Sequence, residues 1–217
     1  MSASPTTLTA LRSLLAARFP EKTRKRAGHV PSGVRALDEL LGGGLPVGQL
    51  TELISQTPSS GGQLILGRLI QSTRQARQRL GLIDGADGFA PEAIATDTLR
   101  HLIWVRCRTT ADTFAAADLL VRDGNYAALA IDLRGLPEKS LRQQPASTWY
   151  RLQRAADESP SAILVMTPCP LVPAVPWRLV LQTPLPLESR RWPQEKLAEH
   201  LVVERVRGHA QREELAG

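Results

Sequence analysis

Residues 31–64 read PSGVRALDELLGGGLPVGQLTELISQTPSSGGQL, and the fold turns on how this stretch divides into strand, loop and helix. Gln49 to Ile54 carries Thr, Leu and Ile in the manner of a short strand inside a sheet. A polar loop, Ser55 to Gly61, follows. From Gly62 to Leu80 the positions Leu66, Leu69, Ile70, Thr73 and Leu80 recur at helical spacing, with Arg68, Arg74, Arg77 and Arg79 between them. Upstream, Ser32 to Leu41 reads as a short helix stopped by Gly42, Gly43 and Gly44. A strand that passes through such a loop into a helix is where open α/β sheets bind phosphate, because backbone N–H groups and the helix dipole converge there.

Working outward, the alternation continues. Leu82–Asp84 ends a second strand, Pro91–Arg100 reads as a helix, and His101–Arg106 as a strand. Ala111–Arg122 is a helix with Gly124 just past its end, and Tyr126–Leu133 a strand closing on Asp132. Ala146–Glu158 is helical and Ala162–Met166 another apolar strand. Residues 160–193 hold eight of the 16 prolines, which predicts extended edge strand and loop, with Trp177–Gln182 and Leu201–Arg207 as late strands paired antiparallel. Strict strand–helix alternation with nearly continuous apolar strands predicts an α/β fold, a mainly parallel sheet sandwiched by helices. Residues 1–30 stand apart as an amphipathic helix and basic linker, 31–187 form the core, and 188–217 a last strand and charged tail.

The 217 residues, 42% hydrophobic and 22% charged, suffice for one sizeable core. No apolar run approaches the roughly 20 residues of a membrane helix, so no membrane role is expected. Cys107 and Cys169 cannot form a disulfide framework or a four-thiolate zinc site, and the four histidines lack ligand spacing. A reducing cytoplasm and no metal are the expectation. The basicity is local: residues 1–30 carry six basic side chains against the single acid Glu21, and so hold nearly all of the net +6. Lys22, Arg24, Lys25 and Arg26 are therefore the candidate contacts to nucleic-acid phosphates, with a solvated linker as the plain alternative. Ahead of them Leu8, Leu11, Leu15 and Phe19 form an apolar helical stripe too short to stand alone, a candidate surface for docking on a partner, on a second copy or on the chain's own core.

A working phosphate loop has G-x-x-x-x-G-K-[ST] between strand and helix. Aligned on Gly61, Gln56 replaces the first glycine, Gly62 the lysine and Gln63 the metal-binding hydroxyl. Each preorganised donor removed from such a site costs roughly 2.7–4 kcal/mol of transition-state stabilisation. The remnant Ser59, Ser60, Gly61, Gly62 and Gln63, with Asp132, forms a degenerate nucleotide site: no catalytic residue and no cofactor is expected, weak ATP binding through backbone N–H groups being the alternative.

Residues 31–64, with their LD, GGGLP and SSG elements, resemble the start of the RecA recombinase core. LGLIDGADGFAP (80–91) resembles its second strand and turn, and DTLRHLIWVRCRTTADTFAAADLLVRDGNYAALAIDL (97–133) its third strand, helix and Walker B strand, which makes Asp132 the Walker B-like carboxylate. The resemblance implies a RecA-type P-loop NTPase-like core over about two-thirds of the chain. It also implies a catalytic Glu at the position of Ala86, which is absent, and two loops that grip single-stranded DNA. The first corresponds to Leu133–Ser147, with Arg134, Lys139 and Arg142. The second corresponds to Thr167–Pro176, proline-stiffened and without Lys or Arg. Together with the basic N-terminal segment and TWYRLQRAA (148–156), these features resemble the ImuA family of bacterial translesion-synthesis accessory proteins. That resemblance implies a non-catalytic role in the SOS response beside RecA and an ImuB-type Y-family polymerase homologue, with single-stranded DNA and self-association as further contacts. SulA-type division inhibitors acting on FtsZ, and a weak DNA-dependent ATPase of recombination, are the alternatives.

Overall fold

The computed structural model describes residues 28–57, 60–182 and 187–206. Its centre is a seven-stranded sheet ordered β5-β4-β6-β7-β3-β8-β9, built from β3 (Leu50–Ile54), β4 (Leu80–Asp84), β5 (Leu102–Arg106), β6 (Ala128–Asp132), β7 (Ala162–Thr167), β8 (Trp177–Leu181) and β9 (Val203–Arg205). All neighbours run parallel except β8 and β9. A separate antiparallel pair joins β1 (His29–Val30) to β2 (Leu45–Pro46).

The strands alternate cleanly between two cores, as period-two side chains demand. Ala128 and Ala130 of β6, with Leu164 and Met166 of β7, face one core; Leu129 and Ile131, with Ile163 and Val165, face the other. The first core is covered by α1 (Arg35–Leu40) and α2 (Gly62–Gln75), and Leu201 and Val203 from the chain's last described segment close it. The second is covered by α3 (Thr110–Asp123), α4 (Glu138–Arg142) and α5 (Ala146–Glu158), where Phe114 meets Trp149 edge-on at 4.9 Å. Burial on both faces explains why the strands read as apolar runs. The mixed α/β, mostly parallel architecture is the one the alternation predicts.

Local differences have local causes. The helix expected to reach Leu80 stops at Gln75, because Arg77 turns to φ 55° and Gln78 N–H caps back onto Thr73 O at 2.9 Å, freeing Leu80 to start β4 fully buried. The helix expected over 91–100 is two short 3-10 turns, Pro91–Ala93 and Thr96–Leu99. Ile94 and Ala95 between them are extended, and Ile94 and Leu99, with no helical stripe, pack singly against the first core. The helices α4 and α6 (Gln194–Glu199) and the β1–β2 pair have no counterpart in the sequence reading. No described helix is long and apolar enough to cross a membrane.

Candidate functional site

The carboxyl ends of β4, β6, β7 and β3 are stitched in a row. Gly85 N–H donates to Asp132 O (3.0 Å), Leu133 N–H to Met166 O (2.9 Å), and Ser55 N–H to Thr167 O (2.9 Å). The row brings the loop after β3 onto the same sheet end as Asp132. In that loop the hydroxyls of Ser55 and Ser60 lie 2.5 Å apart, Ser60 Oγ donates to Thr57 O at 2.9 Å, and Gly61 takes φ 96° to launch α2. Only glycine adopts that angle without strain.

Ser60, Gly61 and Gly62 are buried, whereas Gln63 is exposed. Two side chains pack against the glycines. A Cβ built on Gly61 would collide with Leu201 Cδ2, and one built on Gly62 would collide with Arg134 Nη1. Arg134 is in turn clamped by Asp132: Nη2 donates to Oδ2 at 2.6 Å, Nε to Oδ1 at 2.9 Å, and the Arg134 N–H to Oδ1 at 3.1 Å. The pair is largely withdrawn from water, with side chains 16% and 11% exposed. A guanidinium at a helix N-terminus faces the positive end of the dipole, so the carboxylate supplies the compensating charge. Asp132 thus caps the turn after β6 and neutralises Arg134.

Residues that hold a nucleoside triphosphate and Mg²⁺ must offer a cation to the phosphates, a hydroxyl and a carboxylate to the metal, and room for both. The residues here do not fit. On the alignment at Gly61, Gly62 and Gln63 take the places of the lysine and hydroxyl; Asp132 is bound to Arg134, and Leu201 and Arg134 pack against Gly61 and Gly62. The second acid at this sheet end is committed as well: Asp84 accepts from the N–H groups of Gly88 and Phe89, both at 2.9 Å, and from Trp104 Nε1 at 3.2 Å. Ala86 lies against Gly135.

The connection from β7 to β8 is different from a free DNA-gripping loop. It crosses the sheet over β3, where Leu171, Val172 and Val175 join the second core. Glu52, fully buried in mid-strand, holds it there. Its Oε1 accepts from Leu171 N–H (2.7 Å), Val172 N–H (3.1 Å) and Thr167 Oγ1 (3.3 Å), and its Oε2 from Arg178 Nε at 2.6 Å; Arg178 also donates to Val172 O. Neither Glu52 nor Arg178 was singled out in the sequence, although one carboxylate inside the run LTELI is a signal that a buried partner waits elsewhere. In the first DNA-type loop, Arg134 is paired with Asp132 and Arg142 with Glu138 at 2.6 Å, which holds the Glu138 carboxyl below its ordinary range.

The remaining candidates are packed into the fold. Trp149 is buried; Trp104 packs edge-on against Phe89 with the Arg106 guanidinium 4.9 Å above it. Arg205 covers Trp177 and Lys196 covers Trp192, at 4.0 and 4.3 Å. Burial pushes the thiols of Cys107 and Cys169 up, so both resist ionisation. No cluster of three or more metal-ligating side chains occurs among the described residues. Ser59, the stripe Leu8, Leu11, Leu15 and Phe19, and the basic set Lys22, Arg24, Lys25 and Arg26 lie outside the described residues. No protein-family model matches the chain, and no curated protein matches it.

Proposed function

We propose that this chain is a non-catalytic RecA-like accessory protein of SOS-induced translesion DNA synthesis, a cytoplasmic bacterial scaffold that contacts RecA and an ImuB-type polymerase homologue. One observation supports the reading: the strand β3 leads through a short loop into α2, the corner at which a RecA-type enzyme would hold ATP, and this corner has Gly62 and Gln63 at the chemical positions and Arg134 packed against Gly62. A fold that keeps the frame and loses the chemistry serves as a binding surface. Leu8, Leu11, Leu15 and Phe19 are the proposed docking stripe, and Lys22, Arg24, Lys25 and Arg26 the contacts to single-stranded DNA.

Two measurements on the full chain test this. Phosphate release from ATP, with and without single-stranded DNA, stays at background; turnover that vanishes in Asp132→Ala returns the chain to the DNA-dependent ATPases. Binding to RecA is measured for the wild type and for Leu11→Asp/Leu15→Asp alongside thermal stability. Binding lost at unchanged stability supports docking, and inhibition of FtsZ assembly without RecA binding replaces the reading by a division inhibitor.

A further inference from the structure

The seven-stranded sheet ends differently at its two outer strands. β9 lies against α1 and carries Glu204 and Arg205, and Glu204 accepts from Gln182 Nε2 at 2.7 Å. β5, with the sequence LIWVR, has β4 as its one strand neighbour. His101 O accepts from Leu80 N–H and Cys107 N–H donates to Asp84 O, so the odd positions from 101 to 107 direct their main-chain groups to β4. The N–H and C=O groups of Leu102, Trp104 and Arg106 point away from the sheet, and none has a hydrogen-bond partner among the described residues. The faces of β5 are open as well. A parallel strand is ordinarily covered on both sides, yet no residue of β5 is fully buried, and Ile103, on the side where Val105 meets the second core, is 47% exposed.

We propose that β5 is a self-association edge, on which a second copy of this chain docks its own β5 antiparallel and continues the sheet across a twofold axis. The strand is its own complement. With Trp104 facing Trp104 of the second copy, Leu102 faces Arg106, all five residues pair, and every outward N–H meets an outward C=O. Ile103 then lies opposite Val105 of the second copy, apolar on apolar, on the side of the second core. Sliding the pairing by two residues would set Arg106 against Arg100 or Ile103 against Cys107. Charge agrees with this register. Edge strands are commonly guarded by a bare charge, but Arg106 is neutralised by Asp87, which accepts from Nε at 2.6 Å and Nη2 at 2.7 Å. Arg100, just ahead of the strand, lies 3.3 Å from Asp97, so each guanidinium brought to the axis comes with a carboxylate. The interface is independent of the function proposed above.

Sedimentation of the full chain from micromolar to hundred-micromolar concentration tests the interface, and a monomer–dimer equilibrium is the expected result. Ile103→Lys weakens the dimer about tenfold or more, since two apolar cross-strand pairs are lost. It leaves the melting temperature of the dilute monomer unchanged, because the side chain is half exposed there. Leu11→Asp/Leu15→Asp leaves the dimer intact. Amide hydrogen exchange of the wild type reads the strand directly: exchange at Leu102, Trp104 and Arg106 slows as concentration rises, while Ile103 and Val105, bonded to β4, are protected throughout. Should Ile103→Lys lower the monomer's melting temperature, this exchange pattern decides alone. A chain that stays monomeric over the whole range, or a dimer whose Trp104 amide exchanges as fast as in the monomer, overturns the proposal. A dimer that Ile103→Lys leaves intact and Leu11→Asp/Leu15→Asp dissolves overturns it too, and assigns self-association to the N-terminal stripe.

Discussion

Two arginine–carboxylate pairs lie beside the inner strand β3, and they do different things. At its carboxyl end, Arg134 and Asp132 are two residues apart in sequence and meet on one turn, with the guanidinium packed against Gly62 at the start of α2. On its second-core face, Glu52 and Arg178 are 126 residues apart and pin the β7–β8 crossover to the sheet. The local pair organises one turn at the end of the sheet. The distant pair joins the middle of the sheet to its late strand. Similar chemistry, 2.6 Å in both cases, therefore carries a different weight according to what is buried with it.

The largest effect expected is for Arg178→Ala. It leaves Glu52 as an uncompensated charge in the core, and breaking such a pair costs about 3–5 kcal/mol. Urea unfolding measures the loss, and proteolysis within 168–176 reports release of the crossover; a loss near 1 kcal/mol or less would erase the contrast between the pairs. Asp132→Ala removes charge-assisted bonds from a pair that keeps some water, with an expected loss of about 1.5–3 kcal/mol in the same assay. Thr109→Ala lies outside both regions: the Thr109 hydroxyl accepts the Asp112 N–H at 3.1 Å and caps α3, so about 1 kcal/mol is expected, which sets the scale against which both pairs are read.

The smallest effect is one of pH. Burial, then the charge of Arg74, lowers the pKa of His101, whose Nε2 lies 2.8 Å from Thr73 Oγ1. The unfolded chain therefore takes up this proton first. Stability is full above the ordinary histidine value of about 6.5 and declines as pH falls below it. Thermal melts at pH 7 and pH 5 should differ, with the difference reduced in His101→Gln and left intact in Asp132→Ala.

The sequence made the frame legible because the frame is periodic. Ala146–Glu158 reads as a helix over the span it occupies, and the antiparallel pairing of the last two strands follows from order and position. Positions 62 and 63 were equally readable, since a missing lysine and hydroxyl are properties of the residues themselves. What stayed hidden depends on proximity through space. Nothing near Arg134 in sequence says that its guanidinium lies over Gly62, and nothing near Arg178 says that its partner is Glu52. Prolines marked 168–176 as a loop, but the N–H groups that Leu171 and Val172 aim at Glu52 leave no trace in a hydropathy pattern.

The register of β3 has a temporal consequence. Its two neighbours are β7, where Leu50 pairs with Ile163, and β8, where Thr51 pairs with Trp177. On a ribosome adding about 5–20 residues per second, the first strand of the sheet leaves the tunnel on the order of ten seconds before either neighbour exists. During that wait its backbone edges are unpaired and Glu52 has no arginine. A carboxylate in the middle of LTELI then disfavours pairing with the wrong strand, because any such pairing would bury a bare charge.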